Sequence, residues 1–225
     1  MKTIACVIPS YNQQEFLPEA IESILAQKRK PDEFVIVDDG SNDSSLDYAK
    51  SYEVKGVKVI SQVNKGLPSA RNTGIMNTST DYILFLDSDD LLMENALERI
   101  MEVAEKTDAD VIAPSFRCFG TREGDVILQP QVIIQDFIGG NRLGYFSAIK
   151  RSVLLEVGGY SPKMVFGYED WHMWFDLLKR GKKIVTTSEV LIMYRVKKHS
   201  MIHSADAHRQ ELLAQIDKDH HVSEL

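Results

Sequence analysis

With 225 residues, 44% of them hydrophobic, the chain has enough apolar material to bury a full core, which excludes disorder and points to one large domain or one domain with an appendage. A formal net charge of -7 excludes a general nucleic-acid surface, because such surfaces neutralise phosphate with clustered Lys and Arg. It leaves room for a small anionic ligand met by a local set such as Lys65, Arg71, Arg195, Lys197 and Lys198.

Residues 4–8 form an unbroken apolar run, a buried first strand stopped by Pro9 and followed by a turn at Ser10, Tyr11 and Asn12. Cys6 lies inside it as a small hydrophobe, and with Cys118 the only other cysteine no disulfide framework is implied. The run is too short for a signal peptide and no stretch approaches a membrane span. The expectation is a soluble cytoplasmic protein without a transmembrane segment, open to peripheral membrane association. Phe16, Leu17, Ala20, Ile21, Ile24 and Leu25 then recur at three- and four-residue spacing and predict an amphipathic helix. A second strand covers 34–37, and the acidic turn after it offers Asp43 or Ser44 as the cap of the next helix. A third strand covers 57–60; after the 64–67 loop, Pro68 suits the first turn of a helix carrying Ala70, Arg71 and Ile75. The fourth strand covers 82–86.

Four strands alternating with helices within the first 90 residues predict parallel βαβ units, right-handed crossovers and an open doubly wound sheet. Ligands in such sheets sit at the carboxyl ends of the strands, which is where Ser10-Tyr11, Asp38-Asp39, Lys65-Gly66 and Asp87-Ser88-Asp89-Asp90 all fall. Beyond them, Leu97, Ile100, Met101 and Ala104 mark one face of a helix that leads to a strand at 110–114. The pattern then weakens. Short β-like pieces at 126–128 and 132–134 predict a smaller antiparallel addition, and Gly139, Gly140 and Gly144, with no core residue to anchor them, predict a mobile loop. A strand at 146–149, a short helix at 152–157 ended by Gly158-Gly159, an amphipathic helix marked by Trp171, Trp174, Phe175 and Leu178, and a strand at 184–195 follow. Residues 205–217 are at best a weakly amphipathic helix.

The fourth strand carries charge at its end. Tyr82-Ile83-Leu84-Phe85-Leu86 is continuously apolar, as a parallel strand covered on both faces must be, and it passes directly into Asp87-Ser88-Asp89-Asp90. Side chains two apart on an extended segment share a side, so Asp87 and Asp89 are expected to converge. Hard oxygen ligands of this kind suit Mg²⁺ or Mn²⁺ that completes its shell with water and substrate phosphates. The alternative is a solvated acidic turn, with Ser88 or Asp89 capping a helix that begins near Leu92.

Taken in order, Val7-Ile8-Pro9-Ser10-Tyr11-Asn12, Val37-Asp38-Asp39-Gly40-Ser41, Asn64-Lys65-Gly66 leading to Ala70-Arg71-Asn72, Asp87-Ser88-Asp89-Asp90, Val157-Gly158-Gly159-Tyr160 and Gly167-Tyr168-Glu169-Asp170-Trp171 resemble the motifs of the inverting glycosyltransferases of family 2. The resemblance implies an α/β, GT-A fold: a Rossmann-like, mostly parallel twisted sheet with helices on both faces and a smaller antiparallel acceptor-side addition. Residues 1–200 would be a single domain, with 1–115 the nucleotide-sugar half and 116–200 the acceptor half, and 201–225 a polar tail or helix. It implies transfer of a sugar from a nucleotide diphosphate donor, commonly UDP-linked, to a hydroxyl of a carbohydrate or lipid-linked acceptor, with inversion. By motif, Pro9, Ser10, Tyr11 and Gly66 line the nucleotide pocket, Asp39 hydrogen-bonds the base and Arg71 lies nearby. Asp87 approaches the ribose and donor sugar, Ser88 lines the site, Asp89 ligates Mn²⁺ or Mg²⁺, and Asp170 is the catalytic base. His199 matches a region of metal or phosphate contact, with His203 a competitor for that place.

Each residue has a plainer reading when taken alone. Asp39-Gly40-Ser41 is then a turn, Arg71 a solvated helix residue, Asp170 a helix cap, His199 a surface histidine, and Trp171 and Trp174 are core. Two rival functions share parts of the pattern. A sugar-phosphate nucleotidyltransferase needs a glycine-rich basic loop after the first strand, where this chain has Pro9-Ser10-Tyr11-Asn12-Gln13. A phosphoacceptor signalling domain places its acidic pair after the first strand, whereas Asp38-Asp39 follows the second.

Overall fold

The computed structural model describes residues 1–198, 205 and 207–224. β1 (Ile4–Ser10) and α1 (Leu17–Leu25) are followed by β2 (Glu33–Asp38), α2 (Ser45–Ser51) and β3 (Lys58–Ser61). α3 (Leu67–Met76) leads to β4 (Tyr82–Phe85), a short β5 (Leu91–Leu92), α4 (Ala96–Thr107), β6 (Val111–Gly120) and β7 (Gly124–Val126). β8 (Ala148–Lys150) runs straight into α5 (Arg151–Val157), and α6 (Glu169–Lys179), β9 (Ile184–Val196) and α7 (Arg209–His220) follow.

All nine strands among the described residues belong to one sheet, ordered β3-β2-β1-β4-β8-β6-β9-β5, with β7 added to β6. β1, β2, β3 and β4 are parallel neighbours, which is why β1 is apolar without alternation and buried along its whole length. The chain moves outward from β1 to β3, then α3, packed on β1 and β2, carries it back to β4 on the opposite side of β1. The order therefore reverses between β1 and β4, and that is where an open α/β sheet leaves a crevice at its carboxyl edge.

Several local expectations are corrected. Pro9 does not stop β1 but lies within it, opposite Val37. Its missing N–H costs no ladder bond: Val7, two residues earlier, turns its carbonyl toward the β4 side, where it accepts from Leu86 N at 3.0 Å, and β4 has already ended at the level of Pro9. Of the two caps expected for α2, Asp43 is the one used, accepting from Ser45 N at 2.9 Å, while Ser44 makes no side-chain cap. No helix begins near Leu92; Leu91 and Leu92 pair with Met193 and Ile192, and α4 starts at Ala96. In the pattern-poor stretch, β7 lies slightly earlier than the piece expected at 126–128. The segment expected as a β-like piece at 132–134 instead leads into a tight 3-10 turn at Ile134–Phe137. β5, β7 and β8 are antiparallel to their neighbours, but the longest pairing in this half, β6 with β9, is parallel.

The glycine-rich loop at 139–144 is anchored, contrary to expectation. Leu143 is buried within it, Phe137 and Tyr145 are buried on either side, and Trp171 Nε1 donates to Phe137 O at 3.1 Å. Of the tail or helix expected at the C-terminus, the helix forms and is docked: Leu212, Ile216 and His220 of α7 are buried, α7 packs on α6, and Asp219 accepts from Lys163 Nζ at 3.0 Å. Residues 209–220 thus complete the core rather than trail from it.

Candidate active site

A cavity of about 340 Å³ opens where the carboxyl ends of β1, β2 and β4 meet. Pro9, Ser10 and Tyr11 line it from the end of β1, Asp39 from the turn after β2, and Gly66 from the loop before α3. Asp87, Ser88 and Asp89 form its wall after β4, and Lys197 reaches in from the end of β9. The fold thus gathers on one cavity residues that lie nearly 190 positions apart in the chain (197 − 9 = 188).

Asp39 sets the shape of one wall. Its Oδ1 accepts from Gln62 Nε2 at 2.7 Å and Lys65 N at 3.0 Å, and its Oδ2 accepts from Gly66 N at 2.8 Å. Gly66 has φ +85°, a conformation that an L side chain resists, so this hairpin of chain around the carboxylate needs glycine. A carboxylate offers about four lone-pair positions, so Asp39 keeps capacity for one further donor.

The acidic turn after β4 is not an extended segment. Asp90 N donates to Asp87 O at 3.1 Å, which closes a tight turn, and Asp87 and Asp89 face the cavity for that reason rather than through strand alternation. Asp90 turns inward, where it accepts from the Tyr145 hydroxyl and, at 2.6 Å, from Arg195 N. Burial, followed by the neighbouring Asp89 charge, holds its pKa well above the usual carboxylate range. Asp89 Oδ2 lies 2.5 Å from Lys197 Nζ. Among the described residues no group of three His, Cys, Asp or Glu side chains is arranged to hold a metal ion. His199 and His203 lie outside the described residues.

Arg71 does not line the cavity. It is 0% exposed, behind the wall, where Nη2 donates to Asp87 Oδ1 at 2.8 Å and Nη1 donates to Glu169 Oε1. Its guanidinium lies 4.8 Å from the Tyr145 ring centroid and 5.2 Å from that of Tyr160. Burial works against this charge, but the two carboxylates outweigh it and hold the pKa of Arg71 well above its ordinary value. Asp87, in turn, is pushed up to about 6: burial raises it, Arg71 opposes, and Asp89 adds repulsion. The pairing of the motif at 70–72 with that at 157–160 is also visible, since Asn72 Nδ2 donates to Tyr160 O and Tyr160 N donates to Asn72 Oδ1, both at 2.8 Å. A Cβ at Gly159 would collide with the Asn72 side chain, so the glycine permits this clasp.

Asp170 stands in the first turn of α6, next to Glu169, and lies outside the cavity wall. The turn into α6 has Gly167 at φ +127° and Tyr168 at φ +60°. Asp170 Oδ1 accepts from Trp171 N at 2.7 Å and Oδ2 from Asn141 Nδ2 at 2.8 Å. A helix N-terminus favours a carboxylate. Here burial and the adjacent Glu169 charge prevail over Arg71 and these hydrogen bonds, and Asp170 is pushed up to about 7. The cavity and Asp170 are joined through one bridge of charge, Asp87 to Arg71 to Glu169.

Glu169, Asn141, Tyr145 and Asp90 escaped assignment from the sequence. Glu169 and Asp90 sit inside quoted motifs, so adjacency was their available signal; Asn141 and Tyr145 lie in the stretch without periodicity and had none.

The family description "Glycosyl transferase family 2" matches residues 5–172, three-quarters of the chain. The chain belongs to glycosyl transferase family 2. This membership removes the nucleotidyltransferase and phosphoacceptor alternatives. The domain is similar to glycosyltransferase GlyA of Streptococcus pneumoniae, with 34% identity over 54% of this chain and 18% of GlyA. It is similar to the poly(ribitol-phosphate) beta-N-acetylglucosaminyltransferase TarP of Staphylococcus aureus, with 37% identity over 50% of this chain and 36% of TarP. Staphylococcus aureus TarS, solved with UDP-GlcNAc, superposes with a TM-score of 0.77 at 19% identity, covering 90% of this chain and 61% of the TarS chain, and thereby shows the GT-A fold. The chain thus spans less than half the length of these two curated relatives. No helix among the described residues is long and apolar enough to cross a membrane.

Proposed function

We propose that this family 2 domain transfers a sugar from a nucleotide diphosphate sugar, with UDP as the nucleotide, to an acceptor hydroxyl with inversion. The observation that carries this reading is the pairing of a strand-end cavity walled by Asp39, Asp87 and Asp89 with a carboxyl at about 7, Asp170, one buried Arg71–Glu169 bridge away. The UDP-GlcNAc and UDP complexes of TarS and the poly(ribitol-phosphate) acceptor in the name of TarP support the donor and acceptor classes. A carbohydrate or lipid-linked hydroxyl is the acceptor we assign, met from the side of the 121–147 stretch, in a cytoplasmic setting with peripheral membrane contact.

Chemically, inverting transfer is one displacement. The acceptor oxygen bonds to the anomeric carbon while the bond from that carbon to the diphosphate oxygen breaks, its electron pair leaving with the phosphate. The acceptor proton passes to an Asp170 carboxylate oxygen, so one base suffices and no covalent intermediate is required. Asp87 orients ribose and donor sugar, Asp39 takes a donor N–H of the base, and Pro9, Ser10, Tyr11, Gly66 and Ser88 enclose the nucleotide.

Asp89, with Asp87 beside it on the cavity wall, offers oxygen-only ligands that suit Mn²⁺ or Mg²⁺, which would draw its remaining ligands from phosphate and water. Such an ion supplies neutralisation of the charge that grows on the departing diphosphate. His199 is assigned as a further contact to this group.

Asp170 accepts a proton only when ionised, so turnover is expected to rise as pH climbs through about 7. Asp170→Asn keeps shape and removes the base: turnover with a cognate acceptor should fall by roughly 100-fold, with UDP affinity unchanged and the rise near neutral pH abolished. Because burial disfavours the charged form, the variant should melt at or above wild type at pH 8. Near-wild-type turnover would make Asp170 a helix residue only.

A further inference from the structure

The cavity wall has a charge imbalance that family membership does not address. Three carboxylates line it, Asp39, Asp87 and Asp89, and among the described lining residues a single side chain, Lys197, is cationic. Asp39 is occupied by Gln62, Lys65 N and Gly66 N, and Asp87 by Arg71 behind the wall. Asp89 is held by Lys197 itself, at 2.5 Å.

This pair is built, not incidental. Arg195 N donates to Asp90 at 2.6 Å and Arg195 Nε donates to Asp89 O at 2.8 Å, clamping the end of β9 to the acidic turn. The Arg195 guanidinium also sits 4.8 Å from the Phe16 ring centroid and 4.4 Å from that of Phe119. Lys197 follows two residues later, its Nζ 4.9 Å from the Phe16 ring centroid. The side chains of Lys197 and Asp89 are only 22% and 21% exposed, so solvent screens the pair less than an open surface bridge. An ammonium on a flexible four-carbon stem carries three donors and is a compact phosphate binder.

We propose that Lys197 is the resident cation of the donor site: it holds Asp89 in the empty cavity and turns to the diphosphate when a nucleoside diphosphate enters. This deepens the donor-binding reading above and rests on it. A divalent ion approaching the empty site must displace Lys197 from Asp89, whereas an incoming diphosphate draws Lys197 away and leaves Asp89 open. Diphosphate and divalent ion therefore tighten one another's binding, by the same factor in each direction. Lys197 also gives the diphosphate a cationic partner when no divalent ion is present.

The test uses the 225-residue chain as wild type, Lys197→Met and Lys197→Arg, with two titrations that need no turnover. Calorimetry measures UDP affinity in EDTA, and electron paramagnetic resonance of free Mn²⁺ measures Mn²⁺ affinity without nucleotide. Lys197→Met, which keeps the stem on Phe16 and loses the charge, should bind metal-free UDP about tenfold more weakly, the loss expected for one charge-assisted contact. The same variant should bind Mn²⁺ alone several-fold more tightly, because Asp89 no longer has to be freed. Lys197→Arg, which keeps the charge, should stay close to wild type in EDTA, and unchanged melting temperatures exclude a folding defect. An unchanged affinity of Lys197→Met in either titration overturns the proposal. If wild type nevertheless binds UDP with Mn²⁺, the donor-binding reading survives that result; if wild type binds no UDP with or without Mn²⁺, that reading and this proposal fall together.

Discussion

Residues 4–92 and residues 121–147 build their parts of the site by different means. The first stretch hangs on parallel ladders: β1 is buried throughout between β2 and β4, and its loops are fixed by hydrogen bonds to one carboxylate, as at Asp39. The second has a single three-residue strand and a short 3-10 turn, and it exposes Ile127, Ile133 and Ile138 while burying Phe137, Leu143 and Tyr145. The backbone of the first stretch is therefore set by secondary structure, and that of the second by a few side-chain anchors. Such an arrangement lets the 121–147 stretch change its exposed residues without unfolding the domain.

The two regions meet where the Tyr145 ring packs against the Arg71 guanidinium, beside the bridge from Asp87 to Glu169, and the sharpest way to break the comparison is to cut that bridge. Arg71→Met leaves Asp87 and buried Glu169 without their counter-charge, so it should cost about 3–5 kcal/mol of stability in urea unfolding. A loss comparable to that of a surface substitution would mean that the two halves are not coupled there.

Asn141→Ala tests the link from the other side with a smaller effect. A hydrogen bond donated to an ionised carboxylate lowers its pKa, so its loss should raise that of Asp170 from about 7. A rise of about one unit leaves Asp170 roughly fivefold less ionised at pH 7. Turnover should fall by about that factor at pH 7 and recover at pH 9; a pH-independent loss would show Asn141 positioning the acceptor instead. Smallest of all, Ile127→Ser, Ile133→Ser and Ile138→Ser should each shift stability by no more than about 0.5 kcal/mol. A larger destabilisation of any one would place it in the core and erase the contrast between the regions.

The parallel half and its strand-end residues were legible because a strand covered on both faces must be continuously apolar, and the polar residues that interrupt such runs mark its carboxyl edge. Tyr82 to Leu86 followed by Asp87 is the plainest case. The 121–147 stretch was illegible for the complementary reason: its buried side chains, Phe137, Leu143, Tyr145 and Phe146, are too few and too unevenly spaced to make a run of either a 2- or a 3.6-residue period.

The order of motifs along the chain determined the family, the parallel sheet and most of the cavity wall, since these depend on local patterning and on how βαβ units must cross over. Only the tertiary structure decided the charge states and the pairings. Arg71 left the cavity for a buried site between Asp87 and Glu169, Lys197 met Asp89 from 108 residues away (197 − 89 = 108), and Asp170 rose to about 7 at a helix start that by itself would favour its ionised form. Desolvation and Coulomb energy depend on which groups burial brings together, and a linear sequence carries no such distances.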